Sequence, residues 1–395
     1  MFTRNSKTSA GFEQVSISQK KLSDGREKDD EIRFYDENRN TVHRKKLDTK
    51  SRVHVVSEQG NYLIIWTILK ESVINGPDGL HQYELFDANG RRMWTKKQPF
   101  NWDDWTNAYV ISDVDGSVVQ DKSLEGLLIF YNPEGDTVKP VHLSVTSEWR
   151  PGSRVFECKF SAAGNYLVVG VTDAKGEIFP NQSGIILFDK RGSELWRFQA
   201  EEKKAYRVHV SPDGRFIMSF HMNDVHHEHT MYLLDMNGNL VKRYPNMAAG
   251  VIFSSDGEYV ALNTGTVVKL ISTEDGETLA AYGIQLGESR REGDRIYVYV
   301  GNKMIHGMDI SSEKKLIVLV QGERKRTKAS YRSYYHYEDV QLRIHHFNGV
   351  PACTKSFKDE KFDGSNLSIR ISDDGREILT KLGRTIKKYR LVQSE

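Results

Sequence analysis

The sequence predicts an all-β chain built from a repeated four-stranded antiparallel unit, and three observations carry that prediction. Two short patterns of alternating apolar residues around a tight turn recur along the chain, the two patterns alternate, and one copy of each fills about 40 residues. The first pattern reads RVHVVSEQGNYLIIW from Arg52, FECKFSAAGNYLVVG from Phe156, YRVHVSPDGRFIMSF from Tyr206, GVIFSSDGEYVALN from Gly250 and LSIRISDDGREIL from Leu367. A weaker copy, IHGMDISSEKKLIVLV, starts at Ile305. Its turns carry Gln59-Gly60, Ala163-Gly164, Asp213-Gly214, Asp256-Gly257 and Asp374-Gly375, where glycine supplies the positive φ that hairpin turns demand. The second pattern reads YELFDANGRRMWTKK from Tyr83, LIFYNPEGDTVKPVHL from Leu128, IILFDKRGSELWRF from Ile185, MYLLDMNGNLVKRY from Met231, VKLISTEDGETLAAY from Val268 and LRIHHFNGVPACTKSF from Leu342. A further copy, IRFYDENRNTVHRKKL, lies near the N-terminus.

Period and content match the blade of a β-propeller, whose four strands are named a to d from the axis outward. The blades fall near residues 52–98, 106–144, 154–200, 205–246, 250–284 and 304–357, and a last one, 367–392, stops after strands a, b and c. The expectation is a seven-bladed propeller over residues 31–395, preceded by a polar extension, 1–30. Residues 41–47 are expected to supply the missing outer strand and close the ring, so that neither end is a bare sheet edge. Two features leave counts of six and eight open: the N-terminal copy matches both c and d, and Gly287–Asn302 does not fit the repeat.

The turn SPDGRF at Ser211–Phe216 and the LFD..G..LW hairpin at Leu187–Trp196 resemble the superfamily of WD-repeat and quinoprotein-like (PQQ-type) propellers, over about residues 30–393. The Trp-Asp pair that closes strand c in WD repeats is replaced by Phe86-Asp87 and Phe188-Asp189, and the sole Trp-Asp, Trp102-Asp103, lies between blades. The resemblance therefore implies the architecture and no close family. Propellers host scaffolds, lectins and enzymes alike, so function has to be argued from a site.

Composition narrows the field. The 395 residues carry 56 Lys+Arg against 54 Asp+Glu, a net charge of +2, which argues against a protein that coats nucleic acid and leaves room for a local basic patch. No apolar run approaches the roughly 20 residues of a membrane span. The N-terminus has no apolar signal core, so a soluble, cytoplasmic protein with no membrane partner is expected. Cys158 and Cys353 leave one disulfide open in principle, and the preferred reading is two small buried hydrophobes.

Turns a–b and c–d open on one face of a propeller and loops b–c on the other. The first set is short throughout; the b–c set includes Glu71–Leu80, Asp173–Ser183, Asn223–His229 and Glu323–Asp339. Long loops are where binding residues concentrate, which places the working surface on the b–c face. The sixth-blade loop interleaves Arg324, Lys325, Arg326, Lys328 and Arg332 with Tyr331, Tyr334, Tyr335 and Tyr337. Planar five-donor guanidiniums and rigid amphipathic rings dominate binding hot spots; the same mixture suits phosphates and stacked bases. A protein partner ranks first and nucleic acid second, beside the plain alternative of a solvated insertion. His226, His227 and His229, near His221, are weak metal candidates, since imidazole is a common ligand but no carboxylate or cysteine set accompanies them; no metal and no cofactor are expected. There is no G-x-S-x-G, P-loop or HExxH motif. The reading is a non-catalytic interaction platform, a scaffold of the WD-repeat-like kind, with an enzyme or small-ligand binder using the central pocket of the same face as the alternative.

Overall fold

The computed structural model describes residues 15–18, 31–35, 41–47, 50–58, 60–70, 79–100, 108–122, 126–143, 153–173, 184–200, 204–223, 228–245, 250–283, 289–292, 295–298, 303–329, 332–357, 362–363, 367–382 and 385–391. Every described element is a β-strand, and every described pairing is antiparallel. The chain divides into two compact units, Met1–Val208 and His209–Glu395.

The first unit opens with a three-stranded sheet, β1 (Val15–Ser18), β2 (Glu31–Tyr35) and β3 (Thr41–Lys46), paired in that order. Three groups of four strands follow, the first two as separate sheets and the third continuing through a Thr172↔Lys204 pair into the next strand. They are β4 (Ser51–Val56), β5 (Tyr62–Lys70), β6 (Gly79–Asp87) and β7 (Arg92–Phe100); β8 (Ala108–Ile111), β9 (Val118–Lys122), β10 (Leu127–Tyr131) and β11 (Thr137–His142); and β12 (Ser153–Phe160), β13 (Tyr166–Asp173), β14 (Gly184–Asp189) and β15 (Glu194–Gln199). Strand β16 (Lys204–Val210) ends the unit and runs on into the next. The second unit continues with β17 (Phe216–Asn223), β18 (Glu228–Asp235) and β19 (Leu240–Pro245), then the sheet β20 (Gly250–Phe253), β21 (Tyr259–Asn263), β22 (Val267–Ser272) and β23 (Thr278–Gly283). A separate two-stranded ribbon, β24 (Ser289–Glu292) and β25 (Arg295–Val298), occupies the segment that does not fit the repeat. Then come β26 (Lys303–Ser311), β27 (Leu316–Ala329), β28 (Arg332–His346) and β29 (Pro351–Phe357), with β30 (Phe362–Asp363) on β28, and a last sheet, β31 (Leu367–Ile371), β32 (Glu377–Leu382) and β33 (Thr385–Arg390).

Side chains alternate between the two faces of a strand, and here both faces are buried. Leu63 and Ile65 of β5 enter a core with Ile32, Phe34, Leu47 and Phe86, whereas Ile64 between them joins Tyr83, Leu85, Trp94, Tyr109 and Ile111 on the other side. In the second unit Val260 and Leu262 of β21 pack with Met218 and Leu233, while Ala261 faces Ile317 and Leu319. Face-to-face burial of successive sheets is what a propeller requires, and it explains near-continuous apolar runs such as YLIIW at Tyr62–Trp66.

Two turn types repeat seven times each among the described residues. Each a–b turn starts at a buried serine whose carbonyl accepts the N–H three or four residues on: Ser57, Ser112, Ser161, Ser211, Ser254, Ser312 and Ser372. At five of them the hydroxyl also accepts the first N–H of strand b, as in Phe216 N–H to Ser211 Oγ at 2.9 Å. Each c–d hairpin, from β2–β3 to β28–β29, carries a bulge where strand c ends. Asp87, Asp189 and Asp235 stand there and accept two backbone N–H groups apiece, the turn-closing role of an Asx motif. Seven of each hairpin is the count of a seven-bladed propeller.

The N-terminal hairpin has blade character. A Cβ on Gly90, φ +78°, would collide with the His43 ring of β3, as one on Gly135 would with Trp94 of β7 and one on Gly276 with Lys242 of β19. Strand β3 thus stands toward its neighbour as outer strands do elsewhere. Its described partner is β2, which makes the hairpin a c–d pair. Both cysteines are unpaired thiols; Cys158 is buried as expected, and its thiol is pushed up by burial, but Cys353 is exposed on β29 and departs from the expectation of a buried hydrophobe.

Candidate functional site

The expected sixth-blade loop is a pair of strands. Strands β27 and β28 continue past the blade and stay paired from Glu323↔Glu338 through Arg324↔Tyr337, Lys325↔His336, Arg326↔Tyr335, Thr327↔Tyr334 and Lys328↔Ser333 to Ala329↔Arg332. Glu323–Asp339 is therefore a two-stranded arm. Its sequence, QGERKRTKASYRSYYHYEDV, shows why no loop forms: tyrosines and threonine favour strands, and glycine and proline are absent between residues 323 and 339. A bulge between Gln321 and Glu323 marks where the arm leaves the blade.

At its base the arm is anchored. Tyr337 is buried at 2% exposure, within the core formed by Val320, Val340, Phe357, Phe362 and Leu367. Its ring meets His306 edge-on at 4.7 Å between centroids, and His306 Nε2–H donates to the Gly322 carbonyl at 3.0 Å. Strand β30 pairs with His336 and Tyr337 and ends there. Tyr337, expected at an exposed partner-binding position, is thus a packing residue, because the pairing of β28 turns it into the blade core.

Lys325 is likewise committed. Its Nζ lies 2.6 Å from Glu338 Oε2 and 3.8 Å from Glu323 Oε2, and the Glu338 carboxylate holds the ammonium above its ordinary value. The second Glu338 oxygen is 3.1 Å from His336 Nε2. Glu323, His336 and Glu338 are members of the site that residue type alone did not single out; the signal was the glutamate at each end of the basic run. Arg324 pairs with Tyr337 within the base, Arg326, Lys328, Arg332, Tyr334 and Tyr335 occupy the paired backbone beyond that cluster, and Tyr331 lies outside the described residues.

The other expected loops fall mainly at 71–78, 174–183 and 224–227, outside the described residues, and so do His226 and His227. His229 stacks on Phe220 at 5.1 Å, and His221 is fully buried, 2.9 Å from Ser219 Oγ and edge-on to Tyr232. The structure gives these two histidines packing roles. Among the described residues no three His, Cys, Asp or Glu side chains form a metal-binding group.

In the first unit an aromatic–amide network lies between β4–β7 and β8–β11. Tyr131 donates to Gln120 Oε1 at 2.8 Å, Gln120 pairs with Gln98, and Tyr83 and Tyr109 lie 5.0 Å apart. Burial pushes the Tyr131 phenol up to about 12, so it stays protonated as a donor. The network forms a polar seam between the two sheets.

Comparison with known proteins agrees on architecture. No protein-family profile matches the chain, and no curated protein does. Among solved structures, the chain is similar to the Dos1 propeller, with a TM-score of 0.54 at 12% identity over 94% of this chain and 88% of that one. It is also similar to the C-terminal WD40 domain of Sif2, with a TM-score of 0.50 at 11% identity over 96% and 93%. The protein has the fold of a β-propeller, with no close family identified. Among the described residues no helix is long and apolar enough to cross a membrane.

Proposed function

We propose that this chain is a non-catalytic, cytoplasmic interaction platform that recruits a protein partner through its b–c face, with the β27–β28 arm as the principal contact. One observation carries the reading. The arm is anchored in a blade core through Tyr337, yet from Arg324 to Arg332 its strands pair only with each other among the described residues. A ribbon held rigid at one end presents side chains without the entropy cost of ordering a loop. Its tyrosines and arginines are the residue types that concentrate binding energy.

The test removes the arm and keeps its base. A variant in which residues 325–336 are replaced by a two-residue Asn-Gly turn, joining Arg324 to the buried Tyr337, keeps Glu323 and Glu338. It is expected to fold and to lose the partners captured by cross-linking to the intact chain. If the same partners are captured at the same yield, the arm is not the binding element.

A further inference from the structure

The arm is polarised along its length. Its base holds Glu323, Glu338 and Asp339, and the two glutamates neutralise Lys325. Between Glu323 and Glu338 the sequence contains five cations, Arg324, Lys325, Arg326, Lys328 and Arg332, and no carboxylate. With Lys325 committed to the base, the excess positive charge lies on the distal part, and four of the five cations are on β27.

Among the described residues, the distal part of β27 is paired on one side only. One side pairs with β28, and on the other side β26 ends at the pair Lys303↔Glu323. From Arg324 to Ala329 no described strand continues the place of β26. Such an edge presents a row of backbone N–H and C=O groups ready to pair with another extended segment. Four of the seven described outer strands carry a proline, which removes a donor: Pro99 in β7, Pro140 in β11, Pro245 in β19 and Pro351 in β29, whereas β3, β15 and β23 have none. The β27 edge has none.

We infer that the distal edge of β27 takes up an acidic, extended segment of a partner protein, added as a strand in the place where β26 has ended. This rests on the arm being the binding element and specifies what it binds. Charge complementarity selects the segment and speeds its encounter; main-chain hydrogen bonds set its direction and register. Nucleic acid would satisfy the charge but offers no matching row of peptide donors and acceptors.

The experiment measures fluorescence anisotropy of a labelled peptide of alternating Asp and Thr with the full-length protein. Comparators are the same peptide methylated on alternate backbone nitrogens, its Lys-for-Asp counterpart, and a single-stranded oligodeoxynucleotide. The acidic peptide is expected to bind, the methylated and lysine peptides at least about tenfold more weakly, a difference of about 1.4 kcal/mol or more. The triple variant R324E/R326E/K328E is expected to lose at least about tenfold in affinity at an unchanged melting temperature, with R324Q/R326Q/K328Q intermediate. Equal binding of the methylated peptide overturns strand addition, and tighter binding of the oligonucleotide overturns the peptide class. Equal binding by the charge-reversed protein overturns the site. If arm replacement abolishes partner capture while the peptide results go against strand addition, the platform reading stands and this inference falls; if capture survives replacement, the platform reading falls with it.

Discussion

The a–b turns and the β27–β28 arm are both antiparallel hairpins, and they dispose of their polar groups in opposite ways. In the turn at Ser254, the hydroxyl donates to Asp256 Oδ1 at 2.6 Å and accepts Tyr259 N–H at 3.0 Å, and Asp256 in turn accepts Glu258 N–H. The turns at Ser211 and Ser372 repeat the arrangement. Polar side chains there are consumed in closing the chain. In the arm the described polar side chains Lys325, Glu338 and His336 meet across the two strands at its base. Polar groups of the turns close the chain locally; those at the base of the arm tie one strand to the other.

The contrast yields tests, the largest effect first. Removing residues 1–48 deletes Ile32, Phe34 and Leu47 and uncovers Leu63, Ile65 and Phe86. The loss should reach several kcal/mol from apolar burial alone, read as a large fall in melting temperature. That fall does not by itself test ring closure, since packing on β5 already accounts for it. Closure by 41–47 is tested by cysteine pairs, one within 41–46 and one within 385–390, in a Cys353→Ser background. Cross-linking under mild oxidation is expected, and its absence from every pair would remove the closure proposal.

Tyr337→Ala comes next. Emptying a site at 2% exposure should cost about 3 kcal/mol. Tyr334→Ala and Tyr335→Ala, a few residues along the same strand, should shift stability by less than about 0.5 kcal/mol. Denaturant melts decide; equal costs for all three would erase the division of the arm into base and tip.

Asp309 sharpens the rule about polar groups. It lies on β26, where burial outweighs the attraction of Arg370 and the N–H bonds of Ile371 and Ile310, and its carboxyl rises to about 6. The folded value exceeds the unfolded one, so the native state binds the extra proton between them. Its contribution is present below the unfolded value, near 4, and is lost as pH rises through about 6, an effect of about 3 kcal/mol. Turn carboxylates run the other way. Burial alone would raise Asp213 and Asp256, but hydrogen bonds from Ser211, Arg215 and Ser254 hold both below their ordinary value, so they stabilise above it and cease to do so in acid. Asp309→Asn should therefore gain stability relative to the parent as pH rises from about 4 to about 7. A constant difference across that range would contradict the assignment.

A loss smaller than that at Tyr337 belongs to a single turn, read in the same denaturant melts. Ser254→Ala removes one donor and one acceptor from a buried position and should cost about 1–2 kcal/mol.

What local sequence could determine here is what local chemistry decides. The a–b turns at 211–214 and 254–257 announce themselves through Ser, Asp and Gly within four residues, and Phe-Asp at 86–87 and 188–189 through an Asx turn. Period-2 alternation then places strands between them, and the repeat implies the propeller. The serine at the head of every a–b turn was in the same windows, although glycine is the louder signal. What only the tertiary structure decided is what depends on register between distant residues. Lys325 and Glu338 are 13 positions apart and meet because β27 and β28 pair as they do. Tyr337 sits in a motif of like residues, and it is buried because β30 and the last sheet cover it. Residue identity sets what a side chain can do, and cross-strand pairing sets which of them are left to do it.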